Sequence, residues 1–338
     1  MEAVLSGFLL LMNFVIVPAA TYASQLTLGA LGVTLIYGIL RFSNFAHGDT
    51  MALGAMVVIL VTWGLKQLGI SFGTLPTALL ALPFGIIATI AYVLICDRLV
   101  FRAYRAQKAK PQVFLIVSIG VMFVTNGIVR FIIGPAEQNF ADGERFILKA
   151  RTMKRSLGLA EGFSLKVSQG LSIAFAMVTV TALFWFLMRT RTGKAMRATS
   201  DNEDLALLCG IDPHRIVMIT WAIVGILACI AGTMYGLDKS FRPFNYFQLL
   251  LPIFAAAILG GLGNPLGAVI GGIIVAFSEI ILTYAYKKLL FYWWPSDWQP
   301  DHLVQFLGTE YKFAISFMIL VIVLIFMPRG IFKGKSAL

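Results

Sequence analysis

From Ala3 to Leu40 the chain carries no charged residue. Backbone polar groups inside a bilayer must be satisfied by the chain itself, which limits spanning structures to helices and closed barrels. A helix crosses the hydrocarbon core in about 20 residues. The stretch is therefore too long for one crossing and predicts two, with a break near Thr21–Gln25, just after Pro18. The rest of the chain agrees with a lipid solvent. Hydrophobic residues make up 59% and charged residues only 13%, which belongs to a polytopic membrane protein and excludes an ordinary soluble domain.

Further apolar runs follow: Thr50–Leu65, about Thr74 to Cys96 with Pro76 in the first turn, Val113–Ile133, Gly170–Met188 and Ile216–Gly236. Tyr246–Ile281 divides into two short spans at the GGLGNPLG turn, Gly260–Gly267, and Lys312–Pro328 closes the series. The expectation is an all-α polytopic membrane protein with about ten transmembrane helices, some short or broken, forming one transmembrane domain over residues 1–338. Trp293, Trp294 and Trp298 in the loop Tyr284–Thr309 read as an interfacial belt. Glu2 is the only charge before the first apolar run, so a cleaved signal peptide is not expected.

The net charge of +11 belongs to loops facing anionic lipid and cytoplasm rather than to a nucleic-acid partner. Alternation of the spans puts Arg41, Asp97–Lys110, Arg189–Arg215 and the tail Arg329–Leu338 on one side. The density of lysine and arginine in those short segments marks that side as cytoplasmic.

One polar interruption has chemistry of its own. In Arg189–Arg215, Ser200 and Glu203 have capping-box spacing, and Asp201, Glu203 and Asp204 place negative charge in a first helical turn. Leu205, Ala206, Leu207 and Leu208 follow, Gly210 suits a left-handed C-terminal cap, and Pro213 stops the helix. About two turns of helix are marginal alone in water. Its leucines must pack either on their own membrane domain or in a groove of another protein.

Two groups of residues suggest broken helices beside a pathway: Asn44, Phe45, His47, Gly48 and Asp49, and then Gly261, Gly263, Asn264 and Pro265. Irregular backbone at membrane depth survives only where protein or a wet cavity satisfies it. Asp49 and Glu279, as ionisable groups at or near spans, are candidates for gating or subunit contact. The alternative for the polar cluster is a satisfied structural role. Small residues at four-residue spacing, Ala228–Gly232–Gly236 and Gly263–Gly267–Gly271, allow close helix packing. Cys96, Cys209 and Cys229 share no metal-type spacing, the three histidines are scattered, and neither G-x-S-x-G nor H-E-x-x-H occurs. No metal site and no enzymatic activity are expected.

Three stretches together resemble the integral-membrane permeases of bacterial ABC importers for branched-chain amino acids, the Liv type. They are LGVTLIYGILRFSNFAHGD, RTGKAMRATSDNEDLALLCGIDPHRI, and LGGLGNPLGAVIGG with the later MPRGIF. The likeness extends from Leu28 to Phe332. It implies a multi-pass protein of the bacterial inner membrane that moves amino acids by alternating access. It also implies partners: two ABC ATPase subunits, which hold the ATP and Mg while this chain binds no cofactor, a second homologous permease chain, and a periplasmic substrate-binding protein. The segment Ser200–Gly210 would then be the coupling helix that docks on the ATPase. Importers of urea or short amides use relatives of such chains. An ion-coupled secondary carrier remains the rival from another class.

Overall fold

The computed structural model describes residues 2–150, 154, 161–293, 304–327 and 330–332. Trp294, Trp298, Pro328, Arg329 and residues 333–338, which carry part of the expected aromatic belt and basic tail, lie outside the described residues.

Nine helices among the described residues are long and apolar enough to cross a membrane. They are α1 (Val4–Leu40), α2 (His47–Gln67), α3 (Ala78–Ala106), α4 (Pro111–Ile133), α5 (Val167–Arg189), α8 (Pro213–Lys239), α9 (Pro243–Gly260), α10 (Pro265–Thr283) and α12 (Thr309–Phe326). Two short helices, α6 (Arg191–Asp201) and α7 (Glu203–Leu208), join α5 to α8, and α11 (Lys287–Trp293) precedes α12. Four long helices, α4, α8, α9 and α10, begin with proline. The ring presets φ there, and the missing N–H is one the first turn could not have used. A two-stranded antiparallel scrap, β1 (Phe146–Leu148) with β2 (Leu165–Lys166), was not expected and lies in the loop before α5.

The expected pair of spans over Ala3–Leu40 is one continuous helix of 37 residues, about 55 Å long at 1.5 Å per residue. The span count is therefore nine rather than ten. No break occurs at Thr21–Gln25 because the hydroxyls of Thr21 and Ser24 and the amide nitrogen of Gln25 find partners without one. Thr21 Oγ1 donates to the Val17 carbonyl at 2.8 Å, Ser24 Oγ donates to Thr21 at 2.7 Å, and Gln25 Nε2 reaches Ser172 Oγ and the Met234 carbonyl. The irregularity sits earlier, as a π-turn over Met12–Ile16 that admits Pro18 without ending the helix. The excess length runs beyond the bundle. Asn13 meets the loop before α5, donating to the Gly162 carbonyl at 2.7 Å and accepting from Ser164 N at 2.9 Å.

The segment Asp97–Lys110 is likewise mostly helix, because α3 continues through a π-turn at Asp97–Phe101 to Ala106. Buried Asp97 makes this possible by accepting both Arg105 guanidinium nitrogens, at 2.6 and 2.8 Å.

The core gathers around the second half of α1, which is buried on all sides. It packs against α8, α10, α9 and α5. α2, α8 and α9 are mostly buried as well, while α4, α5 and α12 turn large apolar side chains outward, Phe131 and Phe326 among them. That is the pattern of a lipid-facing rim around a protein-filled centre. The close-packing expectation for small residues is met at Gly232, where a Cβ would lie 2.2 Å from the Met51 carbonyl oxygen, and at Gly271, 2.1 Å from that of Ala256.

Overpacking a helix contact of this kind costs about 1–3 kcal/mol. Gly232→Val is expected to lower the melting temperature of the purified protein in detergent. Gly120→Val, where a Cβ meets nothing within 4 Å, should leave it unchanged.

Candidate functional site

α7 is short and capped at both ends. Its N-cap is Asn202, whose Oδ1 accepts from Leu205 N at 3.1 Å. At the other end Ile211 N donates to the Ala206 carbonyl at 3.0 Å and Gly210 N to that of Leu207 at 3.0 Å, with Gly210 at φ +81°. This pairing is the Schellman motif, and Gly210 occupies the left-handed position expected of it. Asp212 then caps α8 by accepting from His214 N at 2.9 Å.

The expected Ser200–Glu203 capping box does not form. Ser200 and Asp201 are the last residues of α6 rather than the first of α7. Ser200 is buried, and its hydroxyl donates to the Gly38 carbonyl at 3.0 Å, while the Arg41 guanidinium donates to the Ser200 carbonyl. A tertiary partner thus took the serine that local spacing had assigned to the cap. The signal for the true cap was present in the sequence: asparagine immediately before Glu203 and Asp204, which do open the helix. α6 was not foreseen either. Thr190 caps it by accepting from Gly193 N at 3.0 Å. A Cβ on Gly193 would lie 2.3 Å from the Phe186 carbonyl oxygen, so only glycine lets α6 fold back this sharply on α5.

The burial of α7 divides cleanly. Ala206 is 3% exposed and seals the helix to the chain, whereas Leu205, Leu207 and Leu208 are 59%, 57% and 81% exposed. Glu203 and Asp204 are exposed as well. Of the two readings of the leucines, packing on their own membrane domain is not what the chain adopts.

The three sequence stretches that carry the family resemblance meet beside this helix. A Cβ on Gly38 would touch Gly263 Cα and Ser200 Oγ, each at 3.7 Å. The last turn of α1, the end of α6 and the turn between α9 and α10 therefore converge on one glycine. In that turn Gly261 and Gly263 have φ of +103° and +87°, and Asn264 accepts from Leu266 N and Gly267 N at 3.1 and 3.2 Å to cap α10 ahead of Pro265. Ile331 N donates to the Leu259 carbonyl at 2.9 Å, and Gly330 lies against Gly261, so residues 330–331 return to the same place.

The other candidate group forms the second break, between α1 and α2. Arg41 is left-handed at φ +58°. Asn44 Oδ1 accepts from Ala46 N at 3.1 Å and Phe45 N donates to Ser118 Oγ at 3.1 Å. The Phe45 ring stacks at a tilt on Phe254, centroids 4.9 Å apart. His47 is wholly buried with its ring against Gly32, and Gly48 lets the Tyr246 carbonyl approach. Asp49, also buried, accepts from Asn126 Nδ2 at 2.6 Å. Within the single chain these side chains pack between helices, but both His47 ring nitrogens and Asp49 Oδ2 are buried with no hydrogen-bond partner among the described residues. Glu279 is buried at the far end of α10 and accepts from the Ser316 hydroxyl.

The family model described as branched-chain amino acid transport system / permease component matches residues 15–324. The chain belongs to this family. Among curated relatives, the permease is 30% identical over 318 residues to the high-affinity branched-chain amino acid transport system permease protein LivH of Escherichia coli strain K12, covering 92% of each chain. It is 27% identical over 326 residues to the corresponding protein BraD of Pseudomonas aeruginosa, with 94% of each covered. It is 27% identical over 320 residues to a probable LivH of Methanocaldococcus jannaschii, covering 93% of this chain and 90% of the relative.

Loss of an N-cap side chain costs about 1 kcal/mol. In the permease, Asn202→Ala should therefore fray α7. A spin label on the exposed Cys209, with half-buried Cys96 and buried Cys229 replaced by serine, should become more mobile, while Ser200→Ala should leave that label's spectrum close to wild type.

Proposed function

We propose that this permease is a membrane subunit of an ATP-driven importer for branched-chain amino acids in the bacterial inner membrane, and that α7 is the helix through which an ABC ATPase moves it. The observation that carries the proposal is the split burial of α7: Ala206 sealed inside, three leucines presented outward. A two-turn helix with that much uncovered aliphatic surface is stable in water only when another protein covers it. Its acidic first turn and fixed caps give it one shape, which suits repeated docking in a groove.

The site also supplies a route inward. α6 is hydrogen-bonded to the end of α1 at Gly38, and the second half of α1 is buried on all sides. Displacing α7 pulls on α6 and on α8, which begins three residues after Gly210. Membership of a permease family whose relatives are named for branched-chain amino acid transport favours this cargo, and favours the importer over an ion-coupled carrier. ATP and Mg would be held by the ATPase, a second homologous permease would complete the path, and a periplasmic binding protein would deliver the cargo. Asn44–Asp49 and Gly261–Pro265 would act as hinges at the ends of α1, α2, α9 and α10.

Leu208→Asp and Leu205→Asp, at exposed positions, should leave insertion and yield intact. In a reconstituted complex they are expected to cut ATP-dependent leucine uptake about tenfold or more, the loss expected when a buried interface anchor is replaced by a charge. Uptake at the wild-type rate in both variants would exclude α7 as the docking element.

A further inference from the structure

At the end of the bundle opposite α7, a cavity of about 590 Å³ opens between the start of α5, the end of α8 and the loop after α4. We propose that it is a receiving subsite for a zwitterionic α-amino acid, an inference that rests on the importer reading, in which this end faces the source of the cargo.

Its wall carries both signs of charge. Arg145, Lys166 and Lys239 supply the cations, Glu137, Glu144 and Asp238 the carboxylates. Of these, Lys239 and Asp238 pair with each other, while Arg145, Lys166, Glu137 and Glu144 make no ion pair among the described residues. Among the described residues the ion pairs here are Lys66 with Asp142 at 3.3 Å and Lys239 with Asp238 at 3.5 Å. Asp142 is thereby spent as structure. It also accepts from Thr77 N at 2.7 Å and holds the loop to the start of α3. Asp238 is different. Its Oδ2 faces Lys239, but its side chain is only 5% exposed and its Oδ1 has no hydrogen-bond partner among the described residues. A buried carboxylate oxygen left open carries a desolvation cost that an incoming ammonium would remove.

The floor is fixed by backbone. Gln138 and Phe241 exchange hydrogen bonds at 2.8 and 2.9 Å. Between them and α8, Ser240 is held at φ +64°, ψ +161°, a region other residues leave to glycine, with its hydroxyl donating to Glu137. Val167 and Leu237 add an apolar wall beside the charges. A concave space of this volume suits one small ligand rather than a protein surface. Paired cation and carboxylate groups around an apolar wall match a carboxylate, an ammonium and an aliphatic side chain.

The test is leucine binding to the purified permease–ATPase complex in nanodiscs without the binding protein, read by scintillation proximity. Saturable binding is expected. 4-Methylpentanoate and 3-methylbutylamine, which each lack one charged group, should compete at least about tenfold more weakly than leucine. Asp238→Asn and the exposed-rim Arg145→Gln should each weaken leucine binding about tenfold, the scale of one lost charge-assisted contact, with melting temperatures near wild type. The analogue competition needs no variant, so a misfolded variant cannot rescue or sink the idea. Absence of saturable binding, equal competition by the analogues, or variants that bind leucine normally but lose only stimulation by the binding protein would overturn it. The last outcome would make the cavity a docking surface for protein. If the wild-type complex fails to take up branched-chain amino acids at all, it is the importer reading that falls.

Discussion

The hydroxyl of Ser200 on the carbonyl of Gly38, 3.0 Å away, joins the part of the permease that contacts its surroundings to the part that forms its core. The last four carbonyls of any helix lack partners within the helix. At the end of α1 they are enclosed by protein, so leaving one open would cost about 1–3 kcal/mol. Ser200 answers one of them from α6, and Arg41 reaches back from the turn after α1 to the Ser200 carbonyl. The two bonds bracket Gly38, whose Cβ position lies 3.7 Å from both Ser200 Oγ and Gly263 Cα.

The spans were legible because the transfer of apolar residues into lipid depends little on what packs beside them. The short helix was legible as an element because glycine, acid and leucine fall where helix ends and faces require them. What failed depended on tertiary partners. Ser200 and Asn202 both fit a cap, and only the Gly38 carbonyl decided between them. Thr21, Ser24 and Gln25 looked like a break because polar residues in an apolar run usually end it. Here the helix's own carbonyls and the neighbours Ser172 and Met234 absorb them. The length rule for α1 also assumed that a helix stops at the membrane surface, whereas Asn13 holds its first turns to the loop before α5. For Asp97 the signal was local, an arginine eight residues on, but a charged segment reads as loop until the pair is seen.

The polar residues at the helix breaks follow from the same accounting. A bend at membrane depth exposes N–H and C=O groups that lipid cannot satisfy. Asn44 meets one such N–H, Ser118 another, and Asn264 two more. In the cluster Asn44–Asp49, satisfying the opened backbone accounts for Asn44, whereas both His47 ring nitrogens and Asp49 Oδ2 stay buried without a partner among the described residues. The glycines around it, Gly32 and Gly48, make room for a histidine ring and a carbonyl that would otherwise clash. Sequence reasoning found these positions because the break itself is legible, but their partners lie on α4, α9 and the far side of α1, and no spacing rule reaches that far.

The two ends of the permease are connected by α8. It starts at Pro213, directly after the Gly210 turn, and ends at Lys239, beside the charged cavity. Its 27 residues make a rod of about 40 Å at 1.5 Å per residue. Other long helices contain joints: a π-turn in α1, a π-turn and Pro83 in α3, and Pro252 in α9. α8 has neither a π-turn nor a proline beyond its first position. Its inward face at Gly225, Cys229 and Gly232 brings backbone close to backbone, leaving little side-chain slack to absorb a shift. A displacement of Pro213 would reach Asp238 as a rotation or translation of the whole rod if the packing at Gly225 and Gly232 keeps these interior glycines from bending. The helix that follows the exposed leucines is also the one that ends with the buried carboxylate at the opposite mouth.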